Sequence, residues 1–377
     1  MKVFNVAGAR SNFLKVAPIQ RALELNYPEI DSRIIYTGQN EDSTISEVFL
    51  KYLKLPKPHV NLNIGGGTSA AQTARVMLAF ESLVQQEQPD MIVTVGDVNA
   101  TLAAALVAKK NGVPLAHVEA GLRSFDNSMP EEINRVLVDR ISDLLFISEP
   151  SGLLNLTKEG VENHKKFFVG NVMVDALKGF IEQARALTLE EILSGQSVYP
   201  ARPAIPLKEK GYFMLNIHRP ANVDHAAPLK RLIKIIRYLS TRLPVVFPLY
   251  PRTKNRLSSF GLLQELSAVD NLLLLPPQGY LHFLSLMDKA KAVITDSGSV
   301  QEETTFLNVP CLTLSDATER PITTKIGSNL LIPEISLEYI QPYIETILEC
   351  GCLKYTATPP LWDGQAAQRI AKIIAEY

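Results

Sequence analysis

The chain lacks most of the features that would set it apart from ordinary globular proteins. Its three cysteines, Cys311, Cys350 and Cys352, are too few for a disulfide framework, which suits a reducing compartment. Cys350 and Cys352 also lack the second ligand cluster of a zinc site, so we expect no metal. The acidic and basic residues nearly cancel to a net charge of -1, which gives no support to binding of nucleic acid or of an anionic membrane.

Long apolar runs are also missing. No run approaches the ~20 residues that a membrane-spanning helix needs. Lys2 is followed by a short strand-like segment and Arg10 rather than by the apolar stretch of a signal peptide. We therefore expect a cytoplasmic protein with no nucleic-acid partner and no membrane partner.

The chain does contain a regular alternation of strand-like and helix-like segments. At 377 residues it is long for one core, so two domains are the natural expectation. The strand-like segments are apolar throughout, which is typical of parallel strands covered by helices on both faces. The pattern predicts strands at Val3–Ala7, Arg33–Tyr36, Met91–Val95, Val113–Val118, Leu144–Ser148 and Phe167–Val169, and a second series at Tyr212–Asn216, Pro244–Pro248, Leu272–Leu275, Ala292–Thr295 and Cys311–Leu314.

We therefore predict an α/β fold with two successive domains and a central cleft. The expected boundaries are 1–170 for the N-terminal domain, 171–360 for the C-terminal domain, and 361–377 for a final amphipathic helix that packs back on the first domain. Polar residues at strand ends and helix starts are then the first candidates for chemistry, because backbone dipoles and side chains converge there.

The most informative stretch is AHVEAGLRSFDNSMPEEINRVLVDR, residues 116–140. Glu119 ends a predicted strand, and Glu131 and Glu132 follow a proline at a predicted helix start. Carboxylates at such points, with Arg135 close by, are typical of an acid/base site. The alternative is that Glu131 and Glu132 only place negative charge in the first turn of a helix, where acids are favoured. The segment alone does not decide between the two.

Three further places are open to two interpretations each. Asp97 follows an apolar strand, where a carboxylate is either the N-cap of the next helix, which is the commoner use, or a catalytic group. His218 follows the first strand of the second series and is either a general acid/base or a histidine satisfied within a loop. Arg10 and Lys15 lie in a strand–turn–helix segment that is either an anion site or an ordinary turn, since its spacing matches neither nucleotide-binding loop.

A second strand–turn–helix segment has the composition of a diphosphate site. Ser297, Gly298 and Ser299 are small enough to let helix amides approach a pyrophosphate. Glu303, in the first turns of that helix, could accept hydrogen bonds from both hydroxyls of a ribose. Arg320 follows in the sequence as a guanidinium for phosphate. The segment points to a nucleotide-sugar diphosphate, with plain packing as the alternative.

These motifs come in the order expected of one family. They are GAR…K at 8–15, GDVNATLA at 96–103, HVEAGLR at 117–123, MPEEINR at 129–135, VGNVMVDAL at 169–177, HRPANVD at 218–224, TDSGSVQEET at 295–304 and TERP at 318–321. The chain closely resembles the non-hydrolysing UDP-N-acetylglucosamine 2-epimerases, from the first strand to past Asn329. The motifs are far more specific jointly than singly.

The resemblance implies two Rossmann-like domains in the GT-B architecture, a homodimer, and a UDP-sugar substrate in the cleft. It implies an isomerase that interconverts UDP-GlcNAc and UDP-ManNAc by anti elimination of UDP to 2-acetamidoglucal and re-addition of UDP. The product would serve the synthesis of cell-surface polysaccharide precursors. No nicotinamide or other cofactor and no essential metal are expected.

The resemblance also implies roles for individual residues. Asp97 and Glu131 would handle protons. Glu119 would support the site, and His218 would lie near the leaving phosphate. The UDP-binding residues would be Arg10, Lys15, Ser297, Gly298, Ser299 and Arg320 at the phosphates, Glu303 at the ribose and Phe283 beside the uracil.

Some positions depart from the family pattern. They are Ser11 for proline, Asn12 for glutamate, Ser299 for the second glycine of the phosphate turn, Asn40 and Tyr250 for histidines, and Ser315 for arginine. The proton-handling set is intact, but these changes leave open the identity of the UDP-sugar and the binding of a second, allosteric UDP-GlcNAc. The loop from Ser124 to Met129 is shorter than in many relatives and is a further candidate for sugar specificity.

Three alternatives therefore remain. One is a 2-epimerase of a related UDP-sugar, such as a UDP-2,3-diacetamido uronic acid. Another is a GT-B glycosyltransferase, which shares the UDP site but needs an acceptor groove and no carboxylates around C2. The third is a non-catalytic nucleotide-sugar sensor. Deuterium exchange at C2 without an acceptor would separate the epimerases from the other two.

Overall fold

A computed structural model describes residues 1–38, 50, 56–194 and 206–377 of the chain. The described residues fall into two compact units, Met1–Lys178 together with Pro360–Tyr377, and Gly179–Pro359. Each unit is built on one parallel sheet with helices between its strands, so the predicted α/β class with two Rossmann-like domains is confirmed. No helix within the described residues has the length and apolar character needed to cross a bilayer.

The first unit contains a sheet of parallel strands connected by helices. Its described strands are β1 (Lys2–Ala7), β2 (Asp31–Tyr36), β3 (Val60–Asn61), β4 (Met91–Val95), β5 (Leu115–Val118), β6 (Leu144–Ile147) and β7 (Lys166–Phe168). Its described α-helices are α1 (Arg10–Asn26), α2 (Ser69–Glu87), α3 (Asn99–Lys110), α4 (Pro130–Ile141), α5 (Pro150–Lys158) and α6 (Val172–Ala186), within which the two units divide. A 3-10 helix covers Asn163–Lys165. The strand order is β3-β2-β1-β4-β5-β6-β7.

The second unit repeats this architecture. Its described strands are β8 (Phe213–Asn216), β9 (Val245–Pro248), β10 (Leu272–Leu275), β11 (Ala292–Thr295), β12 (Cys311–Leu314) and β13 (Asn329–Ile332). Its described helices are α7 (Leu189–Leu193), α8 (Pro220–Val223), α9 (Ala226–Ser240), α10 (Pro251–Ser259), α11 (Leu263–Ser267), α12 (Tyr280–Asp288), α13 (Gly298–Leu307), α14 (Pro321–Lys325) and α15 (Leu337–Cys350). The strand order is β10-β9-β8-β11-β12-β13.

Both sheets have the doubly wound order in which the third, second and first strands precede the fourth, fifth and sixth. In such sheets the connections leave the first and fourth strands in opposite directions, and ligands bind at the carboxyl ends of those strands. These strands are β1 and β4 in the first unit, and β8 and β11 in the second. Asp97 follows β4, His218 follows β8 and Ser297 follows β11. The topology of each unit therefore places candidate residues at its switch point.

The strands form because apolar runs are long enough to be buried on both faces and are followed at once by turn residues. Every residue of β4 and of β10 is buried. β4 is followed by Gly96 and Asp97, and β10 by Pro276 and Pro277, which cannot continue a sheet ladder. The chemistry-bearing loops are thus fixed to rigid strand ends.

The C-terminal helix α16 (Ala366–Glu376) belongs to the first unit, where it packs against α1. Asp175 on α6 accepts the backbone N–H groups of Ala366 and Ala367 at 3.2 and 2.8 Å. A side chain from another helix thus supplies the cap that the sequence just before α16 does not. Trp362 is fully buried and donates its indole N–H to the carbonyl of Ser148 at 3.1 Å.

Candidate active site

Asp97 lies in the turn between β4 and α3 and is held from α4. The N-cap position of α3 is Val98, and no side-chain hydrogen bond caps that helix in the described chain, so the interpretation of Asp97 as an N-cap is wrong. Instead, Arg135 Nε donates to Asp97 Oδ2 at 3.0 Å. Asn134 Nδ2 donates to the backbone carbonyl of Asp97 at 2.8 Å. Two residues from the second turn of α4 therefore hold Asp97 in place.

Glu119 forms a buried ion pair beside the same turn. It follows β5 with a φ of 71°, a left-handed conformation that costs a non-glycine residue on the order of 1 kcal/mol or more. Lys15 Nζ lies 2.6 Å from Glu119 Oε1 and 2.7 Å from Oε2. A Cβ on Gly96, whose φ is also 71°, would lie 3.3 Å from Glu119 Oε2. The absence of a side chain at Gly96 lets the Glu119 carboxylate pack against the turn that carries Asp97.

Asn12, one of the departures from the family pattern, ties two strand ends together. Its Oδ1 accepts the backbone N–H of Ala9 at 2.9 Å, and its Nδ2 donates to the carbonyl of Val95 at 3.0 Å. A glutamate at this position could not donate to that carbonyl. Asn12 therefore fixes the turn after β1 to the end of β4, next to Gly96.

The two acids at the start of α4 have different environments. Glu131 is exposed in the first turn, whereas Glu132 is buried. The Glu132 carboxylate accepts the backbone N–H groups of Ser124 and Phe125, each at 2.9 Å, and a bond from Arg135 Nη1 at 2.6 Å. Burial raises the pKa of Glu132, but these donors outweigh it and hold that pKa below its usual range. Glu132 thus organises the loop and Arg135, whereas the side chain of Glu131 is exposed at the helix start.

A buried polar cluster behind this site was not predicted from the sequence. His117 Nδ1 lies 2.6 Å from Asp139 Oδ1, and Arg123 Nη1 donates to Asp139 Oδ2 at 2.7 Å. Arg123 also makes a two-bond pair with Glu159 at 2.8 and 2.7 Å. A usable signal was present in α4, where Glu132, Arg135 and Asp139 occur at helical spacing on the buried face.

In the second unit, His218 lies on a loop organised by a buried aspartate. Asp296 is fully buried and accepts the backbone N–H groups of His218 at 3.0 Å and of Arg219 at 2.8 Å. The His218 Nδ1 lies 3.2 Å from Asn216 Oδ1, and its ring packs 5.3 Å from that of Tyr250. The side chain is 40% exposed, so the ring is oriented by the fold and remains accessible.

The predicted phosphate turn forms the N-terminus of α13, with a guanidinium against it. Ser297 and Ser299 face each other, with their Oγ atoms 3.1 Å apart. Arg320 Nη1 would lie 2.7 Å from a Cβ on Gly298, so the guanidinium contacts the backbone of the helix start. Glu302 Oε1 holds Arg320 Nε at 2.7 Å. Helix amides, hydroxyls and a cation together form an arrangement suited to a diphosphate.

The remaining predicted UDP-binding residues, Arg10, Phe283 and Glu303, lie on α1, α12 and α13 respectively. The Glu303 carboxylate is buried and accepts the hydroxyl of Tyr280 at 3.0 Å. Burial and the charge of Glu303 raise the pKa of Tyr280. Phe283 is buried within α12. Arg10 is the first residue of α1, but its side chain and the whole of Asn40 lie outside the described part of the chain.

In chemical terms, the first unit supplies a group of acidic side chains that are paired with Lys15 and Arg135. The second unit supplies an anion site and carries a histidine. Among the described residues, no group of three His, Cys, Asp or Glu side chains could hold a metal ion.

Comparison with known proteins agrees with this chemistry. Residues 23–375 match the family model described as UDP-N-acetylglucosamine 2-epimerase. A UDP-N-acetylglucosamine 2-epimerase of Methanocaldococcus jannaschii is 39% identical over 99% of this chain and 99% of its own. A UDP-2,3-diacetamido-2,3-dideoxy-D-glucuronate 2-epimerase of Pseudomonas aeruginosa is 34% identical over 100% of both chains.

A crystal structure gives the same result for the fold. It is that of the Methanocaldococcus jannaschii UDP-GlcNAc 2-epimerase in complex with UDP-GlcNAc and UDP, which matches with a TM-score of 0.87 and 38% identity over 100% of each chain. The resemblance drawn from the motifs is thereby confirmed: the chain belongs to the UDP-N-acetylglucosamine 2-epimerase family, whose members are isomerases of UDP-sugars.

Proposed function

We propose that the chain interconverts UDP-GlcNAc and UDP-ManNAc by inverting C2 of the sugar, as a step in making precursors of cell-surface polysaccharides. The observation that carries the proposal is the acidic edge of the first unit, where the buried Glu119–Lys15 pair adjoins the turn that carries Asp97. A full-length relative solved with UDP-GlcNAc and UDP supports the choice of substrate.

The reaction is an anti elimination followed by re-addition. The C1–O bond breaks and its electron pair leaves with UDP, while a carboxylate takes the C2 proton and the C2–H electron pair forms the C1=C2 bond of 2-acetamidoglucal. Because the C2 proton is barely acidic, departure of UDP runs ahead of its removal and positive charge develops on the ring. In the return step, UDP adds back to C1 while C2 takes a proton on the face opposite to the one it lost, so the C1=C2 bond is consumed and C2 is inverted.

The acids of the first unit fit this sequence. Asp97 and Glu131 handle the protons, one on each face of C2, and Glu119 stabilises the developing positive charge. Lys15 holds Glu119 and Arg135 holds Asp97 in fixed orientations, so the carboxylates need no reorganisation when the charge develops.

The second unit supplies the groups for UDP. The N-terminus of α13, with Ser297, Gly298 and Ser299, binds the diphosphate, and Arg320 neutralises its charge as the bond to C1 breaks. When UDP binds, Glu303 accepts hydrogen bonds from the ribose hydroxyls instead of the hydrogen bond from the Tyr280 hydroxyl. The other assignments are His218 near the leaving phosphate, Phe283 beside the uracil, and Arg10 and Lys15 of the first unit as further phosphate contacts.

The test is exchange at C2. The enzyme is incubated with UDP-GlcNAc in deuterated water without an acceptor, and the sugars are followed by proton NMR. We expect UDP-ManNAc and deuterium at C2 of both sugars. UDP-GlcNAc that stays unlabelled and unconverted would refute the proposal. Free ManNAc with UDP would instead indicate a hydrolysing enzyme.

A second substrate has specific support. The Pseudomonas aeruginosa relative, named as acting on UDP-2,3-diacetamido-2,3-dideoxy-D-glucuronate, matches over the full length of both chains. Such a sugar carries a carboxylate, and Asn12 at a glutamate position removes a negative charge near the site. Initial rates with both UDP-sugars decide between them. A higher kcat/KM on UDP-GlcNAc is the result we expect.

We also propose that the active form is a homodimer. The exposed side of α4 presents Ile133, Val136 and Leu137, which are 46%, 39% and 47% exposed and lie on one helical face. Apolar side chains grouped in this way favour a protein interface. Light scattering on Leu137→Lys, with Leu78→Lys on α2 as the control, tests this. Only the Leu137 variant should fall to the monomer mass of 41.7 kDa.

A further inference from the structure

His117 lies on β5 between two hydrogen-bond acceptors and is fully buried. Its Nε2 is 2.9 Å from the backbone carbonyl of Gly96, and its Nδ1 is 2.6 Å from Asp139 Oδ1. The ring therefore connects the turn that carries Asp97 to a carboxylate on α4.

The proton count on the ring follows from these partners. A backbone carbonyl only accepts, so Nε2 carries a proton. Asp139 Oδ2 accepts the backbone N–H of Gly121 at 2.9 Å and Arg123 Nη1 at 2.7 Å. Donors and a cation at these distances favour the ionised carboxylate, which also only accepts. Nδ1 therefore carries a proton as well, and the ring is an imidazolium.

The charges around the ring balance this cation. Asp139 faces it from α4, and Arg123 and Glu159 extend the cluster from the loop after β5 and the end of α5. With His117 protonated, these four groups sum to zero. The fifth and sixth charges, Glu119 at the end of β5 and Lys15 on α1, pair with each other.

The direction of the pKa agrees with this balance. Burial lowers the pKa of His117, but the charge and hydrogen bond of Asp139, the bond to the Gly96 carbonyl and the charge of Glu119 outweigh burial and raise it overall.

We propose that His117 is a positioning residue, held permanently as an imidazolium, that fixes the Gly96–Asp97 turn for proton transfer by Asp97. The turn has few other anchors in the described chain: Gly96 N–H donates to the Val118 carbonyl at 3.1 Å, and α4 holds Asp97. Without the Nε2 bond, the Gly96 carbonyl is buried with no donor and the turn can rotate. The consequence for catalysis rests on the proposed role of Asp97, whereas the charge of His117 does not.

The charge is measured directly on the wild-type enzyme. Histidine labelled with nitrogen-15 gives side-chain NMR signals for the six histidines, and the His117→Gln variant assigns the one that belongs to His117. We expect protons on both ring nitrogens at about pH 8, where an ordinary imidazole is neutral. In Asp139→Asn, which removes the counter-charge, the same signal should become neutral. A neutral His117 in the wild type at this pH overturns the proposal.

Kinetics test the positioning role. His117→Gln should lower kcat on the order of 10- to 100-fold, because the Asp97 carboxylate is misplaced. KM should change less than about threefold, because the groups that bind UDP are not affected. Leu115→Val, a buried truncation on the same strand away from the turn, should keep kcat within about twofold. Equal losses of kcat in both variants would refute the role. A wild type without exchange at C2 would refute the proposed function and leave the NMR result valid.

Discussion

Lys15 Nζ lies 2.6 and 2.7 Å from the two carboxylate oxygens of Glu119. The residues are 104 positions apart in the sequence, and both side chains are almost entirely buried. A buried pair of this kind is stable only while both partners are present, because either charge alone would be left without compensation. The pair joins α1 to the end of β5 and holds the Glu119 carboxylate in one position.

Breaking this pair tests whether its role is structural, catalytic or both. Lys15→Met and Glu119→Gln should each lower the free energy of unfolding by about 3 to 5 kcal/mol. The double variant should recover most of that loss, because no charge stays buried, and should still lack activity. Urea unfolding and the exchange assay measure the two effects. Losses that simply add in the double variant would contradict the coupling.

Asp97 should be required for chemistry and dispensable for UDP binding. Asp97→Asn keeps the size of the side chain and an acceptor for Arg135, but it cannot take a proton. We expect exchange at C2 to fall by about 10²- to 10⁴-fold, with the Kd for UDP changed less than about threefold. Asp90→Asn, which changes an exposed acid of the first unit, is the matched control and should exchange normally. Exchange at the wild-type rate in Asp97→Asn would remove Asp97 from the mechanism.

Glu131 and Glu132 form an internal pair of test and control. Glu131→Gln should lower kcat by about 10²-fold or more with little change in unfolding free energy, because Glu131 is exposed. Glu132→Gln should lower stability, because it weakens three hydrogen bonds to a buried carboxylate. Since the pKa of Glu132 is lowered on folding, its contribution is present above the ordinary carboxyl pKa and is lost as the pH falls through the folded value. If Glu132→Gln lost activity and Glu131→Gln lost stability instead, Glu132 would be the catalytic acid and Glu131 the structural one.

The strands were predictable where an apolar run meets a turn residue. Met91–Val95, Leu272–Leu275, Ala292–Thr295 and Cys311–Leu314 have the predicted bounds. β5 begins at Leu115 rather than at Val113, because Pro114 has no N–H for the ladder. The strand Asn329–Ile332 was missed, because it begins with a polar residue and only its last three residues form an apolar run.

The site was predictable only in part. Asp97 and Glu119 could be found because they follow apolar strands, but whether Asp97 caps a helix depends on where the helix begins. For the cluster of His117, Asp139 and Arg123, helical spacing in α4 could have shown that Asp139 is buried, but not its partners, because the contacts join residues 16 to 22 positions apart across a strand and a helix. Hydrophobic periodicity predicts which residues are buried and apolar, but it does not predict which buried polar side chains form hydrogen bonds with one another.

Gly298 should be needed for the position of Arg320. A Cβ there would lie 2.7 Å from Arg320 Nη1, so Gly298→Ala displaces the guanidinium from the start of α13. We expect the Kd for UDP, measured by calorimetry, to rise by about tenfold. Gly179→Ala on α6, where a Cβ would meet no atom within 4 Å, is the control and should bind UDP normally. Unchanged affinity in Gly298→Ala would exclude Arg320 from the phosphate site.

Asp175 gives the chain a pH-dependent stability of known sign. Burial raises the pKa of Asp175 from 3.8 to about 6, although its bonds to the amides of Ala366 and Ala367 oppose the change. The folded state therefore holds a proton that the unfolded state releases between these values, and the contribution of Asp175 to stability falls as the pH rises through about 6. A difference of about 2 pKa units corresponds to about 3 kcal/mol.

Asn at position 175 keeps an acceptor and has no charge to bury. The stability of Asp175→Asn relative to the wild type should therefore increase from about pH 4 to about pH 7 by up to about 3 kcal/mol, measured by urea unfolding at each pH. Asp31→Asn is a control of opposite sign, because the hydrogen bond and charge of Arg33 lower the pKa of Asp31. Its stability relative to the wild type should stay nearly constant over this range and rise only as the pH falls below the ordinary carboxyl pKa. A relative stability of Asp175→Asn that is constant with pH would show that Asp175 is ionised in the folded state without cost, and that its two bonds to the start of α16 fully offset burial.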